Sequence, residues 1–168
     1  MPKTLKPETV DAIKTLAKRF PQPAGALLTS LRMAEREIGF VDAEVCGLVA
    51  ECLGMPPAHV WGVFTFYTTF RKETDGKHVL WVCSTLPCAL RGSERLYDYL
   101  SEKLGIKKDE TTKDGLFTLK KAECIGACGT APCMQVNDDY YENLTPEIID
   151  QVIDDLRANQ VPARHVTV

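Results

Sequence analysis

Seven cysteines, four of them in two short loops, constrain this chain more than any other feature of its sequence. Cys83 and Cys88 bracket CSTLPC, and Cys124 and Cys128 bracket CIGAC; each loop follows a run with strand character. Seven is an odd number, and the opening MPKTLKPETV lacks an apolar signal segment with a cleavage site, so a disulfide framework is not expected. At 168 residues and 45% hydrophobic content the chain buries a core without such staples. Clustered thiols then point to a metal or redox centre.

The periodicity changes partway along the chain. Residues 7–20 put Val10, Ile13, Ala17 and Phe20 on one helical stripe, and residues 24–38 do the same with Leu27, Leu31, Ala34 and Ile38. A third helix is expected from Asp42, a suitable N-cap, to Gly54, and Pro56 and Pro57 open a fourth before WGVFTFYTTF. The polar stretch RKETDGK, residues 71–77, reads as a linker. Beyond it HVLWVC and LFTLKKAEC have strand character, and residues 93–104 read as a helix with Ser93 as its cap. CMQVN reads as a short strand, NDDYY as a turn, and a last helix starts at Thr145 and Pro146 with Ile149, Val152, Ile153 and Leu156 buried. The expectation is an α/β chain: an N-terminal helical bundle over residues 1–76, then a thioredoxin-like domain over 77–168 in the order β-α-β-β-α. The tail 161–168 is expected to be loose.

Adjacent strands stand about 5 Å apart, so two strand-end loops at one end of a sheet bring four sulfurs together. Structural zinc favours C-x₂-C knuckles, whereas these pairs are spaced C-x₄-C and C-x₃-C. The wider spacing suits a [2Fe–2S] cluster, in which each cysteine pair takes one iron, although zinc stays open. A dithiol redox centre needs C-x-x-C, which is absent, and His59, His78 and His165 form no Rieske pattern. Cys133 reads as a small buried hydrophobe opening a strand, and Cys46 and Cys52 as structural residues of a helix. Lys120, Lys121 and Arg91 are the cations nearest in sequence to the cysteine loops.

A net charge of −3 without a Lys/Arg-rich run excludes the electrostatic footprint of a nucleic-acid binder. Nowhere do 18 apolar residues run together, so direct membrane insertion is not expected. The chain also lacks G-x-G-x-x-G and any similar phosphate-binding loop, so it is not expected to oxidise NADH alone.

GVFTFYTTF, VCSTLPCALRGSERL and CIGACGTAPCMQVNDDYYENLTPE together resemble the small, 24-kDa-type [2Fe–2S] subunit of respiratory NADH dehydrogenase, also called NADH-quinone oxidoreductase. The resemblance runs from about residue 10 to about residue 158. It implies cluster ligation by Cys83, Cys88, Cys124 and Cys128, with Cys133 where relatives usually carry an apolar residue. It further implies an electron-transfer subunit of complex I, docked to a partner that binds FMN and NADH, on the cytoplasmic side of the inner membrane. The equivalent subunit of an NAD-linked hydrogenase or formate dehydrogenase fits the same pattern. A stand-alone [2Fe–2S] ferredoxin would need only residues 78–160, so the helical segment argues for docking.

Overall fold

Asp42 turns sequence into structure directly: its carboxylate accepts the Val45 amide at 2.9 Å, and helix α3 (Ala43–Leu53) starts there. The helix ends at Gly54, whose φ of +64° suits a residue without a Cβ. The computed structural model describes residues 2–160. The chain divides into two units, Met1–Glu73 and Thr74 onward. The tail 161–168 lies outside the described residues.

In the first unit α1 (Pro7–Ala17), α2 (Leu27–Ile38), α3 and α4 (Pro57–Phe66) surround a core that includes Ile13, Leu31, Ala34, Val45, Val49, Val60, Phe64 and Phe70. Phe20 departs from its expected stripe because α1 stops at Ala17, which leaves the ring on an exposed turn. The Glu35 carboxylate, itself buried, accepts the Arg71 amide and an Arg32 guanidinium N–H, each at 2.6 Å, tying the end of this unit to α2.

The second unit holds β1 (His78–Cys83), a one-turn helix α5 (Leu86–Leu90), α6 (Ser93–Leu104), β2 (Phe117–Ala122), β3 (Met134–Val136), β4 (Asp139–Tyr141) and α7 (Pro146–Arg157). The sheet order is β2-β1-β3-β4, with β1 parallel to β2 and antiparallel to β3. Alternate residues Leu80, Val82, Phe117, Leu119, Met134 and Val136 share one core with Leu96 and Leu100 of α6 and Ile149, Val152, Ile153 and Leu156 of α7. The Thr145 hydroxyl caps α7 by accepting the Ile148 amide at 3.3 Å, and Pro146 starts the helix as expected.

Three local expectations are corrected. DYY is a strand, because the turn needs only Asn137 and Asp138: Asn137 takes a left-handed φ of +53°, and Val136 pairs with Asp139. Ser93 is a buried first-turn residue, not a cap; Gly92 occupies the N-cap position with φ +90°. The loop after β1 contains α5, so the order is β-α-α-β-β-β-α.

Within RKETDGK, the Gly76 amide donates to Thr118 Oγ1 at 2.6 Å, and the Asp75 carboxylate lies 2.6 Å from Lys120 Nζ. Both members of that ion pair are buried, and the ammonium also stands over the Trp81 ring. Lys120→Met removes the buried ammonium that pairs with Asp75, so equilibrium urea unfolding should register a loss of about 3 kcal/mol. A loss under about 1 kcal/mol, the range of exposed pairs, would show that the pair contributes little.

Candidate metal centre

The two parallel strands end side by side, Cys83 opposite Ala122, so the loops that follow both leave the same end of the sheet. Ser84 ties the first loop to β2: its amide and its hydroxyl both donate to the Ala122 carbonyl, at 2.9 and 3.0 Å. Helix α5 follows at once, with the Ala89 amide donating to Thr85 O at 2.9 Å and Pro87 in its first turn. That single turn buries Cys88 and leaves Leu86 and Leu90 exposed at 70% and 78%.

The second loop leaves β2 through Glu123 and Cys124 and bends at Gly126, whose φ of +85° disfavours any side chain. A 3₁₀ turn, Cys128–Thr130, and a cis Ala131–Pro132 bond then lead to Cys133 and β3. Because β3 pairs with β1, the Cys83 amide donates to the Cys133 carbonyl at 3.2 Å.

Cys83, Cys88 and Cys133 are each only 1% exposed, and their sulfurs all lie within 4.8 Å of one another. Ala131 completes this cluster, and Ile125 and Ala127 pack against it. Cys124 and Cys128 lie on the exposed loop. Desolvation and the neighbouring Cys124, with Cys83 adding to the effect, hold the Cys128 thiol above its usual range. Of the four expected ligands, then, Cys83 and Cys88 share a buried pocket and Cys124 and Cys128 a rim. Cys133, expected to be packing alone, is buried as expected but lies inside the sulfur group.

The thiols differ in readiness to lose a proton. Burial raises Cys83, but hydrogen bonds from the Thr85 hydroxyl, the Thr85 and Ile125 amides and Cys88 outweigh it and bring the thiol down to about 7. Thr85 Oγ1 lies 3.3 Å from its sulfur. Burial holds Cys88 up, and its hydrogen bond with Cys83 adds to the effect. Burial, chiefly, also raises Cys133, with Cys88 adding to the effect. Thr85 went unnoticed in the sequence, although a hydroxyl two residues after a candidate ligand is the available signal.

Lys120 and Lys121 do not stand as free cations beside the sulfurs: they pair with Asp75 and Glu94, each at 2.6 Å. Cys46 and Cys52 belong to α3, and burial with Asp42 nearby pushes the Cys46 thiol up to about 11. His59 lies on α4 and His78 opens β1 at the end opposite Cys83; neither joins the sulfur group, and His165 lies outside the described residues.

Soft thiols in an apolar wall, with amides and a hydroxyl aimed at sulfur, fit an iron–sulfur cluster. Loops carrying those thiols beyond the ends of two parallel strands, on a small mixed sheet with α6 and α7 packed against it, define a thioredoxin-like cluster protein. Residues 13–157 match the family of thioredoxin-like [2Fe-2S] ferredoxins, and the chain belongs to that family. The E subunit of NADH-quinone oxidoreductase from Rickettsia bellii is 45% identical over 146 residues, covering 84% of this chain and 87% of the relative. The Thermus thermophilus relative, the second-numbered subunit of its NADH-quinone oxidoreductase, is 41% identical over 149 residues, covering 88% and 82%. Among solved structures, a chain of air-oxidized NAD⁺-reducing [NiFe]-hydrogenase superposes with a TM-score of 0.69 at 20% identity. That match covers 79% of this chain but only 23% of the hydrogenase chain, and it is a likeness of fold alone.

Proposed function

We propose that this chain is the electron-transfer subunit of an NADH-quinone oxidoreductase and that Cys83, Cys88, Cys124 and Cys128 hold its one [2Fe–2S] cluster. The observation that carries the reading is the gathering of thiols where β1 and β2 end together. A cluster bound there supplies one-electron exchange and leaves hydride chemistry to a flavin. The chain's own residues hold the iron, exclude water and tune the site. Cys83 and Cys88 present sulfur from the apolar pocket, Thr85 donates to Cys83, and Ile125 and Ala127 close the wall.

The partner we infer is the subunit that binds FMN and NADH. Leu86 and Leu90 flank Cys88 and are exposed, which suits an apolar contact close to the cluster. Identity of 41–45% to subunits named for NADH-quinone oxidoreductase, over most of the chain, favours that assembly over a hydrogenase or formate dehydrogenase. Among the described residues no helix is long and apolar enough to cross a membrane. Attachment to the cytoplasmic side of the inner membrane would therefore run through partner subunits.

Purified without air, the full chain should be brown and contain about two irons and two sulfides. A colourless chain with one zinc would overturn the cluster assignment. Mixed with the flavin subunit, it should co-elute on size exclusion and accept one electron when NADH is added.

A further inference from the structure

We propose that Cys133 is a standby ligand: when the sulfur of Cys88 is lost, the Cys133 thiol binds iron in its place and the [2Fe–2S] cluster is retained. The inference rests on the ligand assignment above, in which Cys133 is not a native ligand.

Cys133 Sγ lies 3.6 Å from Cys88 Sγ. A tetrahedral ion with metal–sulfur bonds of about 2.3 Å sets its sulfurs about 3.8 Å apart, so one ion could bridge this pair with almost no backbone movement. The third sulfur of the group, Cys83, belongs to the same 4.8 Å set. It would anchor the ion whichever neighbour completes the coordination.

The backbone around Cys133 is held from both sides. Its carbonyl accepts the Cys83 amide at 3.2 Å, and the preceding Pro132 carbonyl accepts the Leu144 amide at 2.9 Å. The sulfur therefore needs only a side-chain rotation to follow the ion. Among the described residues the group contains three cysteines and no carboxylate or imidazole, so no harder ligand competes within it. Atoms and charge balance without an oxidant: the Cys133 thiol releases its proton to solvent as its sulfur–iron bond replaces the missing Cys88 bond, and no electron is transferred.

The test compares full-length Cys88→Ala, Cys133→Ala and the double variant, each purified without air and assayed for iron, sulfide and far-ultraviolet circular dichroism. Cys133→Ala should match the wild type, and Cys88→Ala should keep at least about half of the iron and sulfide. The double variant should hold roughly tenfold less than Cys88→Ala. The retained cluster should also change its reduced-state electron paramagnetic resonance spectrum, since one thiolate has moved. Equal iron in Cys88→Ala and the double variant overturns the proposal, as does a Cys133→Ala chain as depleted as the double.

A second measurement does not require Cys88→Ala to fold. Cys124→Ala/Cys128→Ala alters only exposed positions and leaves the three buried thiols, so it should bind one Cd²⁺. Adding Cys133→Ala should weaken that binding at least about tenfold, and unchanged affinity overturns the standby role. A wild-type chain that holds zinc and no sulfide would instead overturn the cluster reading, while the cadmium titration would still report on Cys133.

Discussion

Serine at Cys124 or Cys128 should leave the anaerobically purified chain nearly colourless, with bound iron down at least about tenfold. Even outer-shell partners of a metal are worth roughly 10–100-fold in affinity, and a direct ligand should be worth more. These two thiols sit on the exposed loop, outside the buried three-sulfur group, so the fifth sulfur is not poised to replace either of them. Serine keeps the size and polarity of the position but replaces a soft sulfur with a hard hydroxyl. Because both sites are exposed, folding should be undisturbed, and the circular dichroism spectrum should match that of the wild type. Full iron and sulfide in both variants would remove this loop from the ligand set.

Deleting residues 1–73 should leave a coloured cluster domain whose affinity for the flavin subunit falls at least about 30-fold, as one buried aromatic anchor is worth roughly 2 kcal/mol or more. Each unit has its own hydrophobic core, so the second should fold after the first is removed. Of the five clustered aromatics in the helical segment, Phe64 and Phe70 fill the helical core. Trp61, Phe66 and Tyr67 stay exposed, Phe66 at 77%, and Phe66 meets Tyr67 edge to face. Exposed rings of that kind are typical anchors at the centre of protein interfaces. Size exclusion and calorimetry with the purified flavin subunit measure the loss. Unchanged affinity of the truncated chain would assign docking to the cluster domain alone, with Leu86 and Leu90 the first residues to test.

Much of the site is legible in the sequence because its signals are local. The C-x₄-C and C-x₃-C loops each follow a strand, and two parallel neighbours that end in register carry both loops to one end of the sheet. Helix caps are equally readable. Asp42 and Thr145 accept amides three residues on, a contact set by spacing within a single turn.

Other features depend on residues far apart in the chain. Tyr140 and Tyr141 become strand because β3 offers them an edge, and DDYY alone reads equally well as a turn. Lys120 and Lys121 look in sequence like cations for a negative cluster, yet Asp75 and Glu94, 45 and 27 residues away, have claimed them.

Cys133 marks the boundary most clearly. Its own sequence surroundings, Pro132 before and an apolar strand after, specify a buried small residue, and it is buried. The sequence by itself thus determined the thiol-bearing loops, the helices and strands that carry them, and the burial of the fifth cysteine, because spacing, capping and hydrophobic period act within a few residues. That this fifth sulfur lies 3.6 Å from Cys88 was decided only by tertiary structure. Pairing of β3 with β1 brings residue 133 to residue 83, and α5 turns Cys88 into the same pocket, a coincidence of two long-range contacts that no local pattern encodes.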